Sequence, residues 1–321
     1  MKKSTLQQCV QRQRGVALIV ALLVVALATV LIAGLLDRGE LTAARTRNQL
    51  REAQAQAYAQ GMEAYAARVL MQDANDGSNV DASGDIWTVP LPPTPVPEGQ
   101  ISATMQDLDG RFNLNNLDPA VDTGQVWQRK FVQLLLALKL DANLAQVVRD
   151  WMSNAAGNET GDQYYLGQPV PYRSAKREFQ HVSELRLLKG VSGDVYARLA
   201  PYVSALPPPS TINLNTASVP VLMTLMTSAG PLTQQSAQAL WQQGHARFNS
   251  ATEHELATLV PGVLFDCPGT RCYAVQSSYF LARGEIVLDG LPFVFHSLIQ
   301  RTIGTASGGV RVFQRSRGAD G

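Results

Sequence analysis

Between Arg14 and Asp37 the chain carries no charged side chain, and histidine and cysteine are scarce throughout, four and three in 321 residues. There is no glycine-rich phosphate loop and no serine or cysteine set in a nucleophile elbow. His181, His245, His254 and His296 include no pair at metal-ligand spacing, and His254, flanked by Glu253 and Glu255, reads as an exposed helix residue. Pairs of Asp and Glu read as solvated faces. These gaps exclude the common hydrolase, dinucleotide and zinc patterns, so a non-enzyme is expected. Charge of either sign is also in short supply: charged residues make up 17% and the net charge is +1. Such a balance offers no bulk attraction to nucleic acid or to an anionic surface.

What is present is an apolar run. Residues 16–36 are 21 positions, almost all Val, Ala, Leu and Ile. As a helix rising about 1.5 Å per residue they span roughly 30 Å, one bilayer core. Lys2, Lys3, Arg12 and Arg14 precede the run with no acidic residue among them. The positive-inside bias therefore keeps residues 1–15 cytoplasmic and sends the rest outward. A secretory signal would have a shorter apolar core, although Ala33-Gly34-Leu35 imitates a cleavage site. Residues 37–71 contain no proline and are rich in Ala, Gln, Arg, Glu and Leu, which predicts one helix of some fifty residues with a polar outer half. A plain membrane anchor is the alternative reading of this segment alone.

The basic leader Arg12-Gln13-Arg14, then Gly15, then the apolar helix and its polar extension, resemble the N-terminus of type IV pilins and type II secretion pseudopilins. The resemblance implies cleavage by prepilin peptidase between Gly15 and Val16 and N-methylation of Val16, where the families usually have Phe. It also implies a glutamate as the fifth residue after the cut, and here that residue is Val20. A carboxylate in hydrocarbon needs a partner, in these families the charged N-terminus of a neighbouring subunit. A subunit with nothing above it has no such neighbour, which is the pattern of the K-type minor pseudopilin. Removal of the leader takes Cys9 and four cations with it, leaving about three net negative charges. Cys267 and Cys272 remain, separated by Pro268-Gly269-Thr270-Arg271. In an oxidising compartment this turn-forming spacer predicts a disulfide, and a metal reading of the pair lacks two further ligands.

Punctuation organises the remainder. Residues 73–84 read as a loop, and the run Pro90-Leu91-Pro92-Pro93-Thr94-Pro95-Val96-Pro97 as a linker or an edge excursion, not a helix or central strand. Alternation over 101–108 predicts a half-buried strand, turned by Asp109-Gly110 and continued by 111–117. Helices are predicted at 126–138, 143–152, 182–188, 193–202, 218–228, 234–244 and 253–260. Strands return at 273–282, 285–288, 291–301 and 310–315, with Leu288-Asp289-Gly290 as a hairpin. Strands, a helical block, then strands imply a helical block inserted into a sheet domain.

This order again resembles the K-type pseudopilin. The strings Asp107-Leu108-Asp109-Gly110-Arg111-Phe112-Asn113-Leu114-Asn115-Asn116-Leu117, Asp150-Trp151, Asp162-Gln163-Tyr164-Tyr165, Pro171-Tyr172-Arg173, Ser183-Glu184-Leu185-Arg186 and Ile212-Asn213-Leu214-Asn215-Thr216-Ala217-Ser218 carry the likeness over nearly the whole chain. It implies an α+β fold: a pilin-like long N-terminal transmembrane helix and antiparallel sheet, with a large all-α domain, helix-hairpin-helix-like, inserted in the sheet. The expected divisions are leader 1–15, transmembrane helix 16–36, periplasmic extension 37–72, first sheet part 73–117, insert 118–264 and C-terminal strands 265–321.

Family members bind calcium in the insert, and hard cations want six to eight oxygens. Here Asp150, Asn154, Glu159 and Asp162 are the candidate ligands, with several of the family's carboxylates missing. A polar loop held by caps and turns is the alternative, and no cofactor is required. The string 212–218 also resembles the start of helix-hairpin-helix DNA-binding modules, but 219–243 holds no Lys or Arg. Asn213, Asn215, Thr216 and Ser218 are instead expected to cap and turn the backbone. The resemblance implies a single-pass inner-membrane protein with its C-terminal part periplasmic. It implies assembly with the I- and J-type minor pseudopilins at a pseudopilus tip, and contact with prepilin peptidase, the inner-membrane platform and the secretin or cargo. A minor pilin of a type IV pilus is the runner-up.

Overall fold

The computed structural model describes residues 5–76, 80–154, 159–267, 271–302 and 309–318, and side chains outside 5–15 and 159–161. Residues 1–57 and 58–321 form two compact units. Helix α1 (Thr5–Asn75) is continuous over 71 residues. Its last turns bury Ala59, Met62, Ala66, Val69 and Leu70, a spacing of three and four that puts one apolar stripe on one face.

That stripe lies on a five-stranded antiparallel sheet. Strands β1 (Leu91–Val96) and β2 (Gly99–Asp107) open it, and strands from the other end of the chain complete it, as given below. β1 contains Pro92, Pro93 and Pro95, which cannot donate to a ladder, and it is accordingly an edge strand with a register irregularity between Leu91 and Thr94.

Between Asp107 and Tyr279 the chain leaves the sheet. In order come β3 (Phe112–Asn113), α2 (Val126–Ala137), α3 (Leu144–Met152), α4 (Glu159–Leu166), α5 (Gly193–Leu199), β4 (Val203–Ser204), β5 (Ile212–Asn213), α6 (Val219–Leu222), β6 (Met226–Thr227), β7 (Gly230–Pro231), α7 (Gln234–Trp241), α8 (Glu253–Leu256), β8 (Val263–Leu264) and β9 (Tyr273–Ala274). The sheet then closes with β10 (Tyr279–Leu288), β11 (Leu291–Thr302) and β12 (Gly309–Arg317) in the order β1-β2-β10-β11-β12. Asp289 and Gly290, both with positive φ, make the two-residue turn between β10 and β11.

The excursion is mixed, not all-α as expected. Two-residue strands pair in parallel, β3 with β4 and β5 with β9, and β6 pairs with both β7 and β8. The helix expected over 218–228 stops at Leu222, because Thr224 Oγ donates back to the Val221 carbonyl and the chain extends into β6. Residues 182–187 wind as a 3-10 helix started by a capping box of His181 and Glu184. The strand expected over 273–282 is broken, because Asp81 and Asp109 take the backbone N–H groups of Ser277 and Ser278; 279–288 is instead one strand.

Phe112, Phe131, Leu134, Trp151, Leu185, Leu214, Leu240 and Tyr273 belong to the core of the excursion, Leu70, Trp87, Phe280 and Ile299 to the one between α1 and the sheet, and Leu108, Leu206 and Tyr279 to a small cluster against which Leu281 and Leu298 pack. Each fully buried side chain of this size contributes about 1.5–3 kcal/mol. Gly284 lies under α1, where a Cβ would collide with the thioether of Met62. Glu63 on the same helix face accepts from Arg315 Nε at 2.6 Å and from Ser297 Oγ at 2.5 Å, which ties α1 to β11 and β12.

Candidate functional site

Three places carry the functional expectations: the apolar helix, the junction where the excursion meets the sheet, and the loop after α3. Gly15 and Val16 lie within α1 with no break between them. Val16 is 62% and Val20 53% exposed, and residues 16–36 are exposed throughout. This is a helix long and apolar enough to cross a membrane. An exposed face of Val, Leu and Ala packs against lipid or other helices through close van der Waals contact, without ion pairs.

The junction is polar and buried. Asp107, at the end of β2, accepts from Ser277 Oγ at 2.7 Å, from Thr216 Oγ1 and from the backbone N–H of Asp109 at 2.8 Å. Asp109 accepts from the backbone N–H groups of Ser278 at 2.5 Å and Tyr279 at 3.0 Å. Burial pushes both carboxyls above the ordinary carboxylate range, with the negative charge of Asp107 adding to the effect at Asp109. Arg301 on β11, only 2% exposed, donates to Asp81 and to Asp73 at 3.0 Å. Its guanidinium also covers the Phe280 ring at 4.8 Å. The carboxylates of Asp73, Asp81 and Asp85 lie within 4.8 Å of one another. Arg301 pairs with the first two and Arg247 with the third at 2.7 Å, so two guanidiniums face three acidic groups.

The loop after α3 holds the expected calcium ligands. Asp150 accepts from Gln146 Nε2 at 2.8 Å, and Asn154 is exposed. The side chain of Glu159 lies outside the described residues. Asp162 is buried, accepts from the Ser174 backbone N–H at 3.0 Å and hydroxyl at 2.7 Å, and faces Lys176 at 3.5 Å and Arg173 at 3.7 Å. Ser174 and Lys176 hold its carboxyl below the usual range. Two cationic side chains within 4 Å thus face the Asp162 carboxylate, which weakens it as a cation ligand in this arrangement.

Cys267 and Cys272 form a disulfide across a Cα separation of 6.1 Å. Beside it, Lys130 donates to the Phe265 carbonyl at 2.7 Å and sits over the Tyr273 ring at 4.9 Å, with its pKa lowered to about 8 chiefly by burial.

The string 212–218 is structural. Asn213 Oδ1 accepts from the Asn215 backbone N–H, and Asn215 exchanges two hydrogen bonds with the backbone of Phe248, accepting at 2.6 Å and donating at 3.1 Å. Thr216 is tied to Asp107, and Ser218 occupies the N-cap of α6 without a side-chain cap bond. Both asparagines are buried, so no phosphate can reach them. Asn113 and Asn115 repeat the pattern: Asn113 Oδ1 accepts from the Asn115 N–H, and Asn115 exchanges two bonds with Phe179.

Sequence reasoning missed the Arg301 network and these paired clamps. The recurring Asn-Leu-Asn, at 113–115 and 213–215, was the signal for the clamps. Nothing local marked Arg301, whose partners lie 220 and 228 positions away.

The family model described as "Type II secretion system (T2SS), protein K" matches residues 110–208. Type II secretion system protein K of Pseudomonas aeruginosa is 35% identical, covering 96% of this chain and 94% of its own. The protein of the same name from Klebsiella pneumoniae is 32% identical over 90% and 93%. A solved structure titled the GspK-GspI-GspJ complex from the type 2 secretion system of enterotoxigenic Escherichia coli has a chain with the same fold. Its TM-score is 0.65 at 24% identity, covering 86% of this chain and 99% of that one. With a carboxylate-free apolar helix, a sheet interrupted at one point and near full-length relatives, the chain belongs to the type II secretion system protein K family, the minor pseudopilins of that system.

Proposed function

We propose that this chain caps the pseudopilus and initiates its assembly with the I- and J-type minor pseudopilins, in support of protein export across the outer membrane. Its N-terminal helix holds the precursor in the bacterial inner membrane, with residues 1–15 cytoplasmic and the remainder periplasmic. Prepilin peptidase cuts between Gly15 and Val16, and Val16 is then methylated. The observation that carries the reading is Val20: an apolar side chain where the related subunits have a carboxylate, on a helix exposed along its whole apolar length. Such a helix has nothing to offer the charged N-terminus of a subunit added later, and it associates through packing. The excursion 107–279 adds bulk that obstructs a further subunit. The inner-membrane platform, and the secretin or the cargo, are the remaining contacts of this reading.

The test is co-purification. The full chain, tagged at its C-terminus and extracted in detergent, is expected to bring down the I and J subunits of the same bacterium under oxidising conditions. Absence of any such complex overturns the tip role. Replacing Gly15 by Leu is expected to leave the precursor uncut, and normal maturation of that variant would remove the processing step.

A further inference from the structure

Lys130 on α2 is a buried cation, 3% exposed, whose contacts are neutral. Its ammonium donates to the Phe265 carbonyl at 2.7 Å and sits over the Tyr273 ring at 4.9 Å. Among the described residues no carboxylate comes within ion-pair distance of it. Asp266 acts on it from further away and is itself paired with Arg129 at 3.5 Å. A buried ammonium without a counter-ion is costly, and its pKa, lowered to about 8, registers that cost.

The neighbouring disulfide can supply the anion. Cys267 Sγ lies 3.0 Å from the same Phe265 oxygen, so ammonium and sulfur share one acceptor, and Cys272 Sγ is bonded to that sulfur. Within the bridge Cys267 Sγ has no proton; as a free thiol it would donate to the oxygen it already touches. The two cysteines differ in access: Cys267 is half-buried, whereas Cys272 is 1% exposed. Cys272 is also anchored, because its carbonyl accepts from the Ile212 N–H at 2.8 Å at the start of the β5–β9 pair.

We infer that this bridge is a site of thiol–disulfide exchange, in which an external thiolate attacks Cys267 and the Cys272 thiolate leaves beside Lys130. The new S–S bond joins the incoming sulfur to Cys267 Sγ, the Cys267–Cys272 bond breaks, and its electron pair stays on Cys272. Burial alone opposes a thiolate there; the buried ammonium offsets this, as a lysine beside a cysteine lowers the thiol pKa. The β5–β9 pair keeps Cys272 in place, so its thiolate can attack Cys267 again, expel the incoming thiol and restore the bridge. A second external thiolate instead removes the first as an external disulfide. Both cysteines are then reduced, and the two external thiols have lost two electrons.

The test uses the full chain in detergent micelles with Cys9→Ser, which removes the only other thiol. Glutathione at neutral pH, followed by acid quenching, is expected to give a mixed disulfide that peptide mass spectrometry finds on Cys267 and not on Cys272. In the reduced chain, thiolate absorbance followed against pH is expected to show one cysteine ionising below the ordinary value of about 8.5. Lys130→Met is expected to move that midpoint above about 8.5 and to slow opening by glutathione about tenfold. A midpoint at or above about 8.5 in the parent overturns the proposal, whatever the variant does. So does opening at the parent's rate in a Lys130→Met chain that melts with the parent, or attachment of glutathione to Cys272. A bridge that resists glutathione and opens with thioredoxin assigns the attacking thiolate to a protein dithiol; one that opens with neither overturns the proposal. These measurements need neither the I nor the J subunit, so the exchange site and the tip role fail separately.

Discussion

Arg301 on β11 is clasped by Asp81, a residue 220 positions earlier in the loop that follows α1, with both side chains almost wholly buried. The same guanidinium reaches Asp73 in α1 and the Ser277 carbonyl at 3.0 Å. One side chain thereby fixes the end of the helix, the loop and the return from the excursion. Arg301→Leu strands two acidic groups without their cation. The expected loss is about 3–5 kcal/mol, the cost of breaking one side of a buried pair. Denaturant unfolding of the purified chain measures it, and a loss within 1 kcal/mol would show the pair to be dispensable.

Glu63 gives the fold an acid limit. Burial raises its pKa, but Arg315 and Ser297 outweigh this and hold it below the ordinary 4.5. A carboxyl depressed on folding stabilises the protein fully above its unfolded value, and that contribution is lost as pH falls through the folded one. Thermal stability is therefore expected to fall below pH 4.5, and Glu63→Gln to flatten that limb while lowering stability at pH 7.

Asp109 works in the opposite direction. Its folded pKa is raised from 3.8 by burial first and by Asp107 second, so its contribution is complete below 3.8 and declines as pH rises toward the folded value. Asp109→Asn retains an acceptor for the Ser278 and Tyr279 N–H groups. Its stability relative to the parent is expected to increase from acidic to mildly alkaline pH. Parallel melting curves across that range would refute the shift.

The disulfide closes a short loop, so its entropic contribution is modest, about 2 kcal/mol. Cys272→Ser, at a position 1% exposed, is expected to lower the melting temperature by as much as reduction of the parent by dithiothreitol does, plus a small packing term. If reduction leaves the melting temperature unchanged, the bridge does not stabilise the fold.

Val20→Glu reintroduces a carboxylate into the apolar helix. With no cation beside it in the proposed tip, the charge costs up to about 2.5–3.5 kcal/mol, the figure for a bilayer centre, and less than that because Val20 lies near the end of the apolar run. Reduced recovery of the tip complex, with unchanged precursor levels, is the expected result. Wild-type recovery would mean that a neighbour supplies the missing charge.

Much of this fold was legible from local pattern. The helix through residue 75, the edge placement of the proline run, the hairpin at Asp289-Gly290 and the strands on either side of the excursion follow from spacing and turn chemistry, which act over a few residues. The short strands inside the excursion did not, because a two-residue pair such as Ile212–Asn213 with Tyr273–Ala274 has no period to read. It exists because a buried asparagine clamp and a distant segment hold it. The loop after α3 shows the same limit: acids close in sequence suggested a cation, but Lys176 and Arg173 face the carboxylate of Asp162.

Asp107 and Tyr279 sit on neighbouring strands, and the Leu108 N–H is 3.0 Å from the Tyr279 carbonyl. The chain therefore departs and returns through a gap no wider than a strand spacing. Anything spliced in there, long or short, leaves the register of β2 and β10 as it was. A change of length inside the excursion is therefore absorbed without moving the sheet, provided that Thr216, Ser277 and Ser278 keep their bonds to Asp107 and Asp109.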